Sequence, residues 1–178
     1  MSEATAYRYF PDIVSLVKEA LVGLWPSPAE ALAPVERSTD PVERVAFATE
    51  FLLRRVQAYQ GAVRAVMAAA ITRPDTAATD RPGIRFGLID HALLPLRETL
   101  AVVAPESFAQ LKRDLAVVVS AESLFVLMDL CHLSPDAAIA SAVSTASTLT
   151  EAALRKLSGT DARDAPPSDV RGPTSGKP

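Results

Sequence analysis

Apolar positions recur at helical spacing along most of the chain, and proline-containing polar stretches punctuate them. Ile13, Leu16, Val17, Ala20, Leu21 and Leu24 define a helix that stops at Trp25-Pro26. After a loop through Pro34 and Arg37, Asp40-Pro41-Val42-Glu43 forms a start signal. Asp40 suits the N-cap, Pro41 the first helical position, and Glu43 can return a hydrogen bond from the third. Val45, Ala48, Thr49, Leu52 and Val56 then make one stripe, widened by Phe47 and Phe51, which predicts a helix enclosed on more than one side.

A break over 57–61 leads to a short helix with Val63, Val66, Met67, Ala70 and Ile71 inward, closed by Arg73-Pro74-Asp75. A polar loop reaches Gly83, and the next helix carries Ile84, Leu88, Ala92 and Leu96 inward. Pro95 lies inside that pattern, cannot donate to the His91 carbonyl and predicts a bend with a gap beside it. Ala104-Pro105-Glu106 opens a strongly apolar helix expected to run to about Leu130. Ser134-Pro135-Asp136 opens a last helix through Leu157, and residues 159–178, rich in Pro, Gly, Ser and Asp, are expected to be disordered.

The composition supports an all-α fold, since 49% of residues are apolar and only 6% aromatic. A formal charge of −3 excludes a chain that holds nucleic acid by bulk charge. Cys131 is the single cysteine, so an internal disulfide framework is excluded and a reducing cytoplasm is expected. No basic segment followed by an apolar core marks a secretory signal. The greasy stretch from Leu115 to Cys131 contains Glu122 and Asp129 and is too short for a membrane span of ~20 residues, so no membrane association is expected.

The opening run Ser2-Glu3-Ala4-Thr5-Ala6-Tyr7-Arg8-Tyr9-Phe10-Pro11 resembles the recognition helix of TetR-type bacterial transcription regulators. The resemblance implies a TetR-like helical bundle acting as a homodimer, with Ser2, Thr5, Tyr7, Arg8 and Tyr9 as DNA-contact residues at an operator. The residues after Phe10 then correspond to the connecting helix, where family members commonly place a lysine or arginine at the position of Ile13. The helix that braces the recognition helix in this family would precede Ser2, so the chain is expected to be truncated within its helix-turn-helix and to grip DNA poorly. Two further stretches, Arg81 to Leu96 and Glu122 to Ala138, are similar to the pocket and dimer helices of such regulators, although His132 stands where glycine is frequent. The expected division is a partial head over 1–24, a ligand-binding and dimerisation domain over 25–158, and a tail over 159–178.

The resemblance implies a small, mostly apolar effector, with Phe47, Phe51, Tyr59, Met67, Phe86, His91, Glu122, Phe125 and Met128 as pocket candidates. Glu122 and Asp129 share one face of an apolar helix and are expected to anchor a polar or cationic ligand or a partner across the dimer seam, or else to form an edge wetted by solvent or to pair with an arginine such as Arg85 or Arg97. Ala138, Ser141, Ala142, Thr145 and Ala146 form a small-residue face expected at the dimer interface. No metal site is expected from His91 and His132, which lack ligand spacing, and no cofactor motif occurs. Cys131 and His132 point to different sides of a helix, so catalysis is not expected. The expected function is therefore effector-responsive transcription regulation; the alternative is a module without DNA binding that modulates a full-length regulator by mixed dimerisation.

Overall fold

The computed structural model describes residues 25–72, 83–97 and 99–161, and within them every regular element is helical. In chain order they are α1 (Pro28–Leu32), a 3-10 turn (Ala33–Val35), α2 (Pro41–Ala58), α3 (Gln60–Thr72), α4 (Ile84–Ala92), α5 (Leu94–Arg97), α6 (Leu100–Val103), α7 (Pro105–Val118), α8 (Ala121–Asp129) and α9 (Pro135–Asp161). No helix among the described residues is long and apolar enough to cross a membrane.

α2 is the axis of the bundle. Asp40 caps it by accepting from the Val42 amide at 2.8 Å, and Pro41 occupies its first turn as expected. Glu43 does not close the capping box: its carboxylate accepts from the Ser38 hydroxyl, and Ser38 Oγ in turn accepts from the Asp40 amide at 3.2 Å. The predicted stripe of Val45, Ala48, Thr49, Leu52 and Val56 is buried along its length. α9 lies along this stripe with Ala138, Ala142 and Ala146 turned inward, each at most 2% exposed. Alanines at i, i+4 and i+8 let two helices approach closely, so the small-residue face serves packing within the subunit. That corrects the expectation that these three residues meet a second subunit. Ser141 is half-buried and Thr145 exposed. α9 also continues past Leu157 to Asp161.

Two expected helices are broken. The stretch from Ala104 to Leu130 is not continuous: at Ser120 the backbone becomes extended, with φ −149° and ψ 153°. Ser120 Oγ accepts from the Ser123 amide at 3.1 Å and donates to the Val117 carbonyl at 2.8 Å, and Ser123 Oγ donates to the Ser120 carbonyl at 2.8 Å. The two serines thus satisfy backbone groups freed at the break, a competition with helix that apolar periodicity does not register. Three residues past the end of α8, His132 has a φ of 54°, the left-handed conformation that glycine favours.

At Pro95 the expected bend is a full interruption, with α4 ending at Ala92 and α5 restarting at Leu94. Pro95 has no amide to give the His91 carbonyl, and the Leu96 amide turns to Leu93 at 3.0 Å. Arg44, only 3% exposed, fills the deficit: Nη2 donates to the His91 carbonyl at 2.8 Å and Nε to the Ala92 carbonyl at 3.1 Å. Its Nη1 donates to Val35 at 2.9 Å and Glu36 at 3.0 Å. One buried guanidinium therefore joins α2, the end of α4 and the turn after α1, and its charge opposes the negative end of the α4 dipole.

The central core is filled by Leu32, Leu53, Leu88, Leu93, Leu115 and Leu124, all at most 1% exposed. α3 packs Val63 and Met67 against this core and has a small cluster of its own around Val66, packed by Trp25, Tyr59, Ala62 and Ala69. Ile71, expected inward, is 73% exposed.

Replacing Arg44 leaves buried carbonyls without donors, each at a cost of about 1–3 kcal/mol. Arg44→Met is expected to lower the unfolding free energy by about 3–5 kcal/mol in urea denaturation. Arg44→Lys, with one nitrogen in place of a fork, should recover less than half of that loss. A loss below about 1 kcal/mol for the methionine variant would contradict the assignment.

Candidate functional site

Among the described residues, the expected pocket residues line several separate depressions around a core rich in buried leucines. They fall into separate places. Phe47, Phe51 and Tyr59 line a shallow groove of about 390 Å³ on the flank of α2, where the Arg55 guanidinium lies 5.4 Å from the Phe51 ring centre and 5.9 Å from that of Trp25. Phe86 is on the surface at 53% exposure, and Met128 is half-buried against the central core. His91 lines a depression between α1, α4 and α7. Met67, Glu122 and Phe125 do come together, in a groove between α3 and α8.

That groove has a volume of about 480 Å³ and mostly apolar walls, with Met67, Ala68 and Ile71 on one side and Phe125, Val126 and Leu130 on the other. It exists because α3 carries more apolar surface than its small cluster covers, while α8 presents Val126 and Leu130 outward at 49% and 73% exposure. Two ion pairs hold its polar groups in place. Arg64 grips Asp129 through both carboxylate oxygens, at 2.7 and 2.8 Å, and its guanidinium stacks 3.8 Å from the Phe125 ring centre. Arg85 reaches Glu122 at 3.3 Å and also donates to the Ala116 carbonyl at 3.3 Å.

Of the roles open to Glu122 and Asp129, pairing with arginine is formed for both, Glu122 with the named Arg85. The partner of Asp129 is Arg64, which sequence reasoning missed. Its signal was available: Arg64 is the sole charged residue between Gly61 and Thr72, as Asp129 is the one charge between Ser123 and Cys131. A lone charge on each of two apolar helices suggests that the helices meet there. The bidentate bond from Arg64 holds the Asp129 carboxyl below its ordinary value, and Asp129 raises Arg64 in return.

Such a groove presents an apolar trough with a fixed cation and two fixed carboxylates at its rim, which is the make-up of a small-molecule site. Among the described residues no group of three or more His, Cys, Asp or Glu side chains is placed to hold a metal ion. Cys131 and His132 are both exposed just beyond the end of α8. The expected DNA-contact residues Ser2, Thr5, Tyr7, Arg8 and Tyr9 lie outside the described residues.

Because the folded Asp129 carboxyl is depressed, the stabilisation from its pair is present above the ordinary aspartate value of 3.8 and is lost as pH falls through the folded value. Carbon-detected NMR titration should place the Asp129 midpoint below 3.8, and Arg64→Gln should bring it back towards that value. A midpoint unaffected by the substitution would contradict the bidentate geometry.

Comparison with known proteins finds no match: no family model fits the chain, and no curated protein or solved structure is significantly similar to it.

Proposed function

We propose that this chain is the effector-binding and dimerisation part of a TetR-type transcription regulator, and that the α3/α8 groove takes a small, mostly apolar effector. The observation that carries the proposal is the groove itself, which gathers Met67, Phe125 and Glu122 into one apolar trough with polar groups fixed at its edge. The resemblance of Ser2 to Pro11 to a recognition helix supports the DNA-binding half. An effector seated between α3 and α8 favours whichever arrangement of those helices it binds more tightly, and alters DNA affinity by no more than that difference.

The dimer is proposed on the outer face of α9. Ala137, Ala140, Ser144 and Thr148 are exposed there at helical spacing and leave room for close approach by a second helix, with Thr145 beside them. This is the side of α9 away from Ala138, Ala142 and Ala146, so one helix packs within its own subunit and against its partner.

Nile red, an uncharged apolar dye, is expected to bind the protein, and Ala68→Trp, which fills the groove from an exposed position, should weaken binding at least tenfold. Phe51→Ala, in the separate groove on α2, should leave it unchanged. Equal binding by the wild type and Ala68→Trp would overturn the assignment of the groove. Light scattering should give twice the chain mass at micromolar concentration, and Ser144→Glu should halve it. A shift assay at several salt concentrations is expected to show weak duplex binding by residues 1–178, and nanomolar, sequence-selective binding would overturn that expectation.

A further inference from the structure

The second depression, at His91, has a different chemistry from the α3/α8 groove and carries an independent inference. It has a volume of about 480 Å³ and lies where α1, α4, α5 and α7 converge. Its shape is set by a close approach: a Cβ at Gly87 would stand 3.0 Å from Pro28 Cγ, so glycine on α4 admits α1 at that distance. Phe108 on α7 provides an aromatic wall, and Leu94 adds apolar surface.

The polar groups around this wall are mainly cationic. Lys112 pairs with Asp90 across the cleft, and its ammonium lies 6.0 Å from the Phe108 ring centre. Arg97, also at the cleft, is exposed and has no acidic partner among the described residues. Two cations thus face one carboxylate, in a chain whose formal charge is −3. His91 contributes a ring whose Nε2 is shielded from solvent and has no hydrogen-bond partner among the described residues. A shielded polar nitrogen without a partner is unfavourable unless something beside it offers a complementary atom.

We infer that this cleft binds a small organic anion, a carboxylate on a flat apolar body. The body lies against Phe108 and Leu94, the carboxylate is held by the Arg97 guanidinium with Lys112 beside it, and the His91 ring closes the inner end. A guanidinium offers a carboxylate two parallel donors, and a cation at an apolar wall attracts an anion more strongly than one in open water. Asp90 already neutralises part of the Lys112 charge, so the site suits a monoanion better than a phosphate dianion. The occupant joins α1, α4 and α7, and it does so at the residue whose carbonyl Arg44 holds.

The inference does not rest on the regulatory reading, because it concerns a different cleft and an anionic ligand. Its test uses three probes with one ring system: 1-naphthoate, uncharged 1-naphthamide and cationic 1-naphthylmethylammonium, each titrated into the full chain with backbone amide shifts recorded. The expected result is at least tenfold tighter binding of naphthoate than of naphthamide, with shifts centred on Gly87, Leu94 and Arg97. Arg97→Gln, at an exposed position that the core does not need, should weaken naphthoate at least fivefold and leave naphthamide unchanged. Raising salt should act in the same direction. Equal binding of naphthoate and naphthamide, tighter binding of the ammonium, or shifts centred instead on Met67 and Phe125 would each overturn the inference. The last outcome would still leave an effector groove between α3 and α8, so the two assignments fail separately.

Discussion

Pro95 removes the amide that would serve the His91 carbonyl, and the guanidinium of Arg44 takes its place from another helix. Much of the architecture follows from that exchange. The end of α4 has to stay beside α2 for the bond to form, and the turn at Val35 and Glu36 is drawn to the same group. A helix interrupted by proline is ordinarily a weak point, since freed carbonyls seek water. Here they face a buried cation, so the interruption becomes a junction of three chain segments.

Around that junction the buried side chains form one cluster. Alanines on α9 allow it to lie close to α2, and leucines from α1, α2, α4, α7 and α8 fill what remains. Two clefts lie at the margins of this cluster. They occur where the packing is incomplete: along α3, which meets the rest of the bundle chiefly through α2, and where the break at Leu93 turns α5 away from α4. The two clefts then differ by what the adjoining helices carry. α8 and α3 offer mainly apolar side chains, whereas α4, α5 and α7 bring Asp90, Arg97 and Lys112.

The starts of the long helices were legible because they depend on local chemistry. Asp40-Pro41, Ala104-Pro105 and Ser134-Pro135 each mark a boundary within a residue or two, and the α2 stripe is buried as its periodicity predicts. What was not legible depends on partners distant in sequence. Periodicity shows that α9 has a small-residue face, but both sides of that helix are rich in small residues, and nothing local says which side α2 covers. Among the described residues, Phe47 and Phe51 line one groove and Met67 and Phe125 another, a division that residue type alone does not show. Ser120 divides α7 from α8 inside an apolar run, where hydrophobic spacing continues unchanged across the break. Arg44 was passed over because a charged residue near a helix start resembles ordinary solvated surface. Its bonds to the His91 and Ala92 carbonyls, nearly fifty residues away, are what give it significance.

The central claim is that Arg44 of α2 is held immobile by carbonyls from two other segments, and the unmodified protein tests it directly. Nitrogen-15 NMR of the arginine side chains at neutral pH should show a persistent Arg44 Nε proton and separate Nη resonances, the mark of hindered rotation and slow exchange, while exposed Arg37 gives averaged, rapidly exchanging signals. An Arg44 side chain that rotates and exchanges as freely as Arg37 would contradict the account.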